Sequence, residues 1–187
     1  MRIICKNPPH GVIFSGEYYP VRTEHTVWRE FAQLLERGGD DAAALSALKL
    51  CYRDKIPYDY TEALKLLCEF FSGGKLGETT DRAEPIMSFT EDEDLIFASF
   101  YSEYGIDLAQ KELHWWQFLA LLRGLSSDTA LMRVIKIRTT RISDIKNPEQ
   151  RQRLIRLKRT FALKNQADAD VAAALGAAFG DKEGEDG

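Results

Sequence analysis

The chain is poor in side chains that do chemistry. Its three histidines and three cysteines never fall into a Cys-x-x-Cys, a His-x-x-x-His or a similar ligand pair, so no metal is expected. Cys5, Cys51 and Cys68 are odd in number and far apart in sequence. That spacing argues against a disulfide framework and suits a reducing compartment, each thiol reading as a small buried hydrophobe. No window reaches 18 apolar residues without a charge, and "MRIICKNPPHGVIF" meets proline and histidine before a signal-peptide core could build. A cytoplasmic protein is therefore expected, with no membrane partner. Gly-x-Gly-x-x-Gly, phosphate-binding loops and Gly-x-Ser-x-Gly elbows are all missing, and the stretch from Gly73 to Gly77 lacks the Lys-Ser or Lys-Thr ending that phosphate binding needs. Neither a cofactor nor a catalytic residue is implied, and a non-enzymatic protein is expected.

What is present is the composition of a folding chain, with 44% hydrophobic and 29% charged residues. The net charge of -4 conceals an asymmetry: residues 133–164 hold eleven Lys and Arg against Asp144 and Glu149, giving +9, and residues 166–187 hold six acids against Lys182, giving -5. The first 132 residues then carry -8, since +9 and -5 must be brought to -4.

Periodicity predicts a mainly α protein. "GVIFSGEYYPVRT" places apolar and aromatic residues around Ser15-Gly16 and predicts a short hairpin. In "TEHTVWREFAQLLERGG", Val27, Trp28, Phe31, Leu34 and Leu35 recur at helical spacing, with Thr23 as cap and Gly38-Gly39 as stop. Asp40 or Asp41 caps a second helix that ends before Pro57. Asp59 and Glu62 form a capping-box pair for a third, ending near Phe71. Residues 72–88 read as a flexible linker. Beyond it, Thr90 and Glu93 open a helix stopped at Gly105, and Asp107 caps a long helix from Leu108 to Leu122. Ser127 or Asp128 starts the next, and Asn147-Pro148 opens the last. The expected fold is a multi-helix bundle in two parts, residues 1–71 with the hairpin and residues 89–164, or both packed as one compact domain. An acidic tail, residues 165–187, is expected to be disordered.

Three stretches invite a functional reading. The acidic run from Glu91 to Asp94 could pair carboxylates around a cation. Its place in the first turn of a helix, where the dipole favours negative charge, makes helix electrostatics the stronger account. The basic residues Arg133, Lys136, Arg138, Arg141, Lys146, Arg151, Arg153, Arg156, Lys158 and Arg159 could follow phosphates. The acidic remainder of the chain and the apolar Leu154, Ile155, Leu157 and Phe161 among them argue against nucleic acid and for a solvated or acid-docking face. In "LHWWQFLALLRGL", Trp115, Phe118, Leu119 and Leu122 share one side and Leu113, Trp116 and Ala120 a neighbouring one, leaving His114 on a narrow polar stripe. Such a helix is buried on more than one side, so the tryptophans read as core.

The order of these pieces resembles a known family. "TEHTVWREFAQLLE", "TEALKLLCEFFSGG" and "SFTEDEDLIFASFYSEYGIDLAQKELHWWQFLALLRGLSSDTALMRVIKIRTTRI" together resemble short proteins of tailed phages and prophages of Gram-positive bacteria, named after a gene product fifteen, over roughly residues 23–164. The resemblance implies a tail assembly chaperone, working in the host cytoplasm and absent from the mature virion. It would hold the tape measure protein, with the major tail protein as a further partner, and self-association is compatible with it. A nucleic-acid-binding phage regulator and a structural tail component retained in the virion are the alternatives. Expected partner contacts are Trp28 and Phe31 on the first helix and Arg138, Arg141, Arg153 and Arg156 in the basic segment, where an acidic partner or the acidic tail could dock.

Overall fold

A hairpin opens the fold because Ser15 and Gly16 adopt the left-handed backbone of a two-residue turn, with φ of 49° and 81°. Strand β1 (Gly11–Phe14) pairs antiparallel with β2 (Glu17–Pro20), Val12 facing Tyr19 and Ile13 facing Tyr18. The structure, a computed structural model, describes residues 7–36, 41–74 and 86–163. The expectations for Cys5, Asp40, Gly38-Gly39, the middle of the linker and the tail lie outside these residues. Among the described residues seven α-helices follow the hairpin: α1 (His25–Glu36), α2 (Asp41–Cys51), α3 (Tyr60–Phe71), α4 (Glu93–Tyr104), α5 (Trp115–Arg123), α6 (Ala130–Thr139) and α7 (Pro148–Thr160), with a 3-10 turn at Ile142–Asp144.

Local chemistry accounts for several helix ends. Asp59 Oδ1 accepts the Glu62 amide at 3.1 Å, and Asn147 Oδ1 accepts those of Glu149 and Gln150 at 2.9 and 3.1 Å, with Pro148 in the first turn. Gly105 closes α4 in the left-handed region at φ 64°. Elsewhere the expected caps are displaced. The cap position of α1 falls to Glu24, whose carbonyl takes the Val27 amide at 3.1 Å, while Thr23 instead offers its carbonyl to Trp115. The cap position of α4 is Asp92 rather than Thr90, and that of α6 is Thr129 rather than Ser127 or Asp128.

The largest departure is the helix expected from Leu108 to Leu122. Only its second half forms. Asp107 caps a single turn, its Oδ1 accepting the Ala109 amide at 2.9 Å, and the chain then stays out of the helix until Trp115, with His114 extended. Main-chain pairing overrides helix propensity there: the Leu113 carbonyl accepts the His25 amide at 2.9 Å and the Thr23 carbonyl accepts the Trp115 amide at 2.6 Å. Helices α1 and α5 thus start from one short antiparallel bridge, Glu24 opposite His114.

A single core runs through both expected parts. Phe70 of α3 stacks on Trp28 of α1 with ring centroids 4.7 Å apart, and Trp28 on Trp115 of α5 at 6.2 Å. Trp115 stacks on Phe118 at 5.3 Å, and Phe118 on Phe100 of α4 at 5.0 Å. The described ends of the expected linker are built into this body, since Ser72, Met87 and Ser88 are all buried. Glu36, at the end of α1, secures the far end. It accepts the Thr90 hydroxyl at 2.6 Å, the Ser88 hydroxyl at 3.1 Å and the Phe89 amide at 3.3 Å.

Candidate functional site

The tryptophan pair serves the end of another helix. A helix leaves its last carbonyls without intrahelical partners; at α3 the amides of Ser72, Gly73 and Gly74 serve those of Cys68, Phe70 and Glu69, and the two indoles add donors to the helix's last two, Phe70 and Phe71. Trp115 Nε1 donates to the Phe71 carbonyl at 2.8 Å, and Trp116 Nε1 to that of Phe70 at 2.9 Å. Arg123 reaches the next carbonyl, Ser72, at 3.3 Å, and burial lowers its pKa. His114, expected on a polar stripe, is the N-cap of α5. Its Nδ1 accepts the Trp116 amide at 3.1 Å, which leaves Nε2 to donate to the Pro9 carbonyl at 3.0 Å. His25 mirrors it, its Nδ1 accepting the Leu113 amide at 3.2 Å while its ring stacks on Phe118. Burial depresses the pKa of both histidines. The Arg29 charge adds to the effect at His25 and His10 at His114, against opposing pulls from main-chain groups.

Arg138 is a clamp inside the fold. Its guanidinium grips the Asp92 carboxylate with both terminal nitrogens, at 2.6 and 2.8 Å, and donates to the carbonyls of Phe161 at 2.7 Å and Ile86 at 3.1 Å. Asp92 also accepts the Ser88 amide at 3.0 Å. With the two side chains 12% and 2% exposed, the pair is a bidentate ion bridge held out of water. It joins α4, α6 and the end of α7. The acidic run is therefore divided: Asp92 serves this clamp, Glu93 pairs with Arg29 of α1, and Asp94 is exposed.

Trp28 and Phe31, expected as contacts, are wholly buried in the aromatic core and offer no surface in this fold. Arg138 is likewise occupied internally. Arg141, Arg153 and Arg156 are exposed, and the structure separates them from the buried three. Among the described residues no group of His, Cys, Asp and Glu could hold a metal ion, and no helix is long and apolar enough to cross a membrane.

Among the described residues, Ile13, Tyr18, Tyr58 and Tyr60 are exposed near the hairpin and the start of α3, and two helices present open faces. Helix α4 is apolar on both sides. Ile96, Ser99 and Phe100 face the core, Ser99 Oγ there accepting the Leu131 amide of α6 at 3.0 Å. On the opposite side Phe97, 39% exposed, and Tyr101, 58% exposed, stack one turn apart with near-parallel rings at 6.2 Å. A helix this apolar all round is ordinarily buried all round. That signal was present in "DLIFASFYSEY", where Leu95, Ile96, Phe97, Phe100 and Tyr101 exceed a single stripe. The second face is α7, which buries no residue fully. Leu154, Ile155, Leu157 and Phe161 are half-buried, while Arg153, Arg156 and Arg159 line the outside.

Among the described residues, fold and surfaces together define a mainly helical protein with one aromatic core, an open aromatic face on α4 and an open basic face on α7. The chain belongs to the family described as Bacteriophage Gp15 protein, whose model matches residues 40–163. It is thus a phage-related protein. The match takes in both open faces and leaves α1 outside it. No curated protein and no solved structure matches the chain.

Proposed function

We propose that this phage protein is a tail assembly chaperone that holds the tape measure protein while tail-tube subunits assemble around it, acting in the host cytoplasm without catalysis. The observation that carries the reading is the outer face of α4. Phe97 and Tyr101, stacked at helical spacing, form a ready apolar seat for an amphipathic helix of a long helical client. Both rings stand on a rigid helix whose other side is anchored in the core, so little ordering cost accompanies docking. Family membership supplies the phage context.

The test is co-expression with the tape measure protein of the same phage. Wild type keeps the client soluble and co-purifies with it. The double variant Phe97→Ser, Tyr101→Ser unfolds like wild type, its side chains being outside the core, but loses the client. Unchanged solubility and no co-purification with wild type would sink the reading. Recovery of the protein from purified virions would replace the chaperone with a structural tail component.

A further inference from the structure

We infer that the exposed face of α7 is the docking site of the chain's own acidic segment, residues 166–187. The argument starts from unbalanced charge. Arg153, Arg156 and Arg159 follow one another at three-residue spacing, where like charges on a helix repel. All three are exposed, and among the described residues no carboxylate pairs with them. Arg151 donates to the Ile145 carbonyl at 2.9 and 3.1 Å, which leaves its charge uncompensated too. Residues 141–163 hold seven cations against Asp144 and Glu149, a net +5. Residues 166–187 hold Asp168, Asp170, Asp181, Glu183, Glu185 and Asp186 against Lys182, a net -5. The two charges match in size and oppose in sign.

Geometry favours this occupant over a free polyanion. The described chain passes out of α7 through Leu163, four residues beyond Arg159. Asp181 lies 18 residues beyond Leu163, and a coil of that length spans about 25 Å. Helix α7 has 13 residues and is about 20 Å long. The acidic cluster can thus reach back along the whole helix, and tethering at that range gives an effective concentration on the order of millimolar. The half-covered Leu154, Ile155 and Leu157 flank the arginines and offer apolar contact to the valine and alanines between Asp170 and Asp181. This docking occupies α7, not α4, so it stands or falls independently of the chaperone reading.

The test compares the full chain with a full-length variant whose tail is neutralised by Asp168→Asn, Asp170→Asn, Asp181→Asn, Glu183→Gln, Glu185→Gln and Asp186→Asn. The readout is the arginine Nε–Hε and backbone amide signals by NMR. Docking predicts shifts at Arg153, Arg156 and Arg159, with Arg29 and Arg53 unmoved because their ion pairs lie elsewhere. Raising salt to about 0.5 M in the wild-type chain should drive the α7 signals toward their positions in the variant, since exposed pairs are screened. Shifts confined to residues 160–163, shifts spread over other helices, or α7 signals identical in the two proteins would each overturn the inference.

Discussion

Trp115 and Trp116 show how adjacent residues divide labour. Trp115 is wholly buried and carries ring stacking as well as a hydrogen bond, whereas Trp116 lies at the edge of the core, with its indole on the Phe70 carbonyl. Replacing Trp116 with Phe keeps a ring but removes one of that carbonyl's two donors, the Gly73 amide at 3.0 Å being the other, and should cost about 0.5–1.5 kcal/mol in a urea melt. The contrast among the arginines is sharper. Arg138→Met strands the buried Asp92 carboxylate and should cost about 3–5 kcal/mol, whereas Arg153→Met, on an open face, should change stability by no more than about 0.5 kcal/mol. Equal melts for the two variants would contradict the clamp. Arg138 and Arg153 look alike in sequence because nothing local distinguishes them; the partner of Arg138 sits 46 positions away. The core role of the tryptophans was legible, since apolar residues around most of a helix leave no other place for them. Their role as donors to α3 was not.

At the scale of elements, capping chemistry was legible where a side chain bonds the first turn or a left-handed glycine ends the last, as at Asp59, Gly105 and Asn147, and was off by one or two positions at Asp92 and Thr129, whose side chains cap nothing. It was illegible where tertiary main-chain pairing decides, as between Thr23–His25 and Leu113–Trp115. That junction titrates. Both His25 and His114 accept a backbone amide at Nδ1, and a protonated imidazole cannot accept there. Their folded pKa values lie below the unfolded value, so the folded state prefers them neutral. The stability each contributes is complete above the unfolded pKa of about 6.5 and is lost as pH falls through the lower folded pKa. The urea midpoint should therefore drop between about pH 7 and pH 5. His114→Asn, which can still cap α5 through its side-chain oxygen, should remove part of that drop. A midpoint equally steep with pH in the variant would show that His114 does not contribute.

At the scale of the whole molecule, the division at residues 72–88 is a division of the chain and not of the core. The stack from Phe70 through Trp28, Trp115 and Phe118 to Phe100 crosses from one side of that segment to the other between Trp28 and Trp115, and Glu36 grips residues 88–90 across it. The sequence left two helical parts or one compact domain both open, because composition reports where chain is polar and glycine-rich but not which faces later meet. Each aromatic in the stack brings roughly 150–250 Å² of apolar surface, worth about 4–6 kcal/mol at 25 cal/mol per Å² when fully covered. A fragment holding only residues 1–74 would uncover one side of Trp28, Phe70 and Phe71, and would leave the last carbonyls of α3 without the indoles that serve them. With net stabilities of only about 5–15 kcal/mol for a domain of this size, neither this fragment nor residues 86–187 should fold alone. Each should show weak near-ultraviolet circular dichroism and no cooperative melt, and mixing the two should restore both signals. A sharp melting transition from residues 1–74 by themselves would show that the stack joins two finished domains instead of completing one.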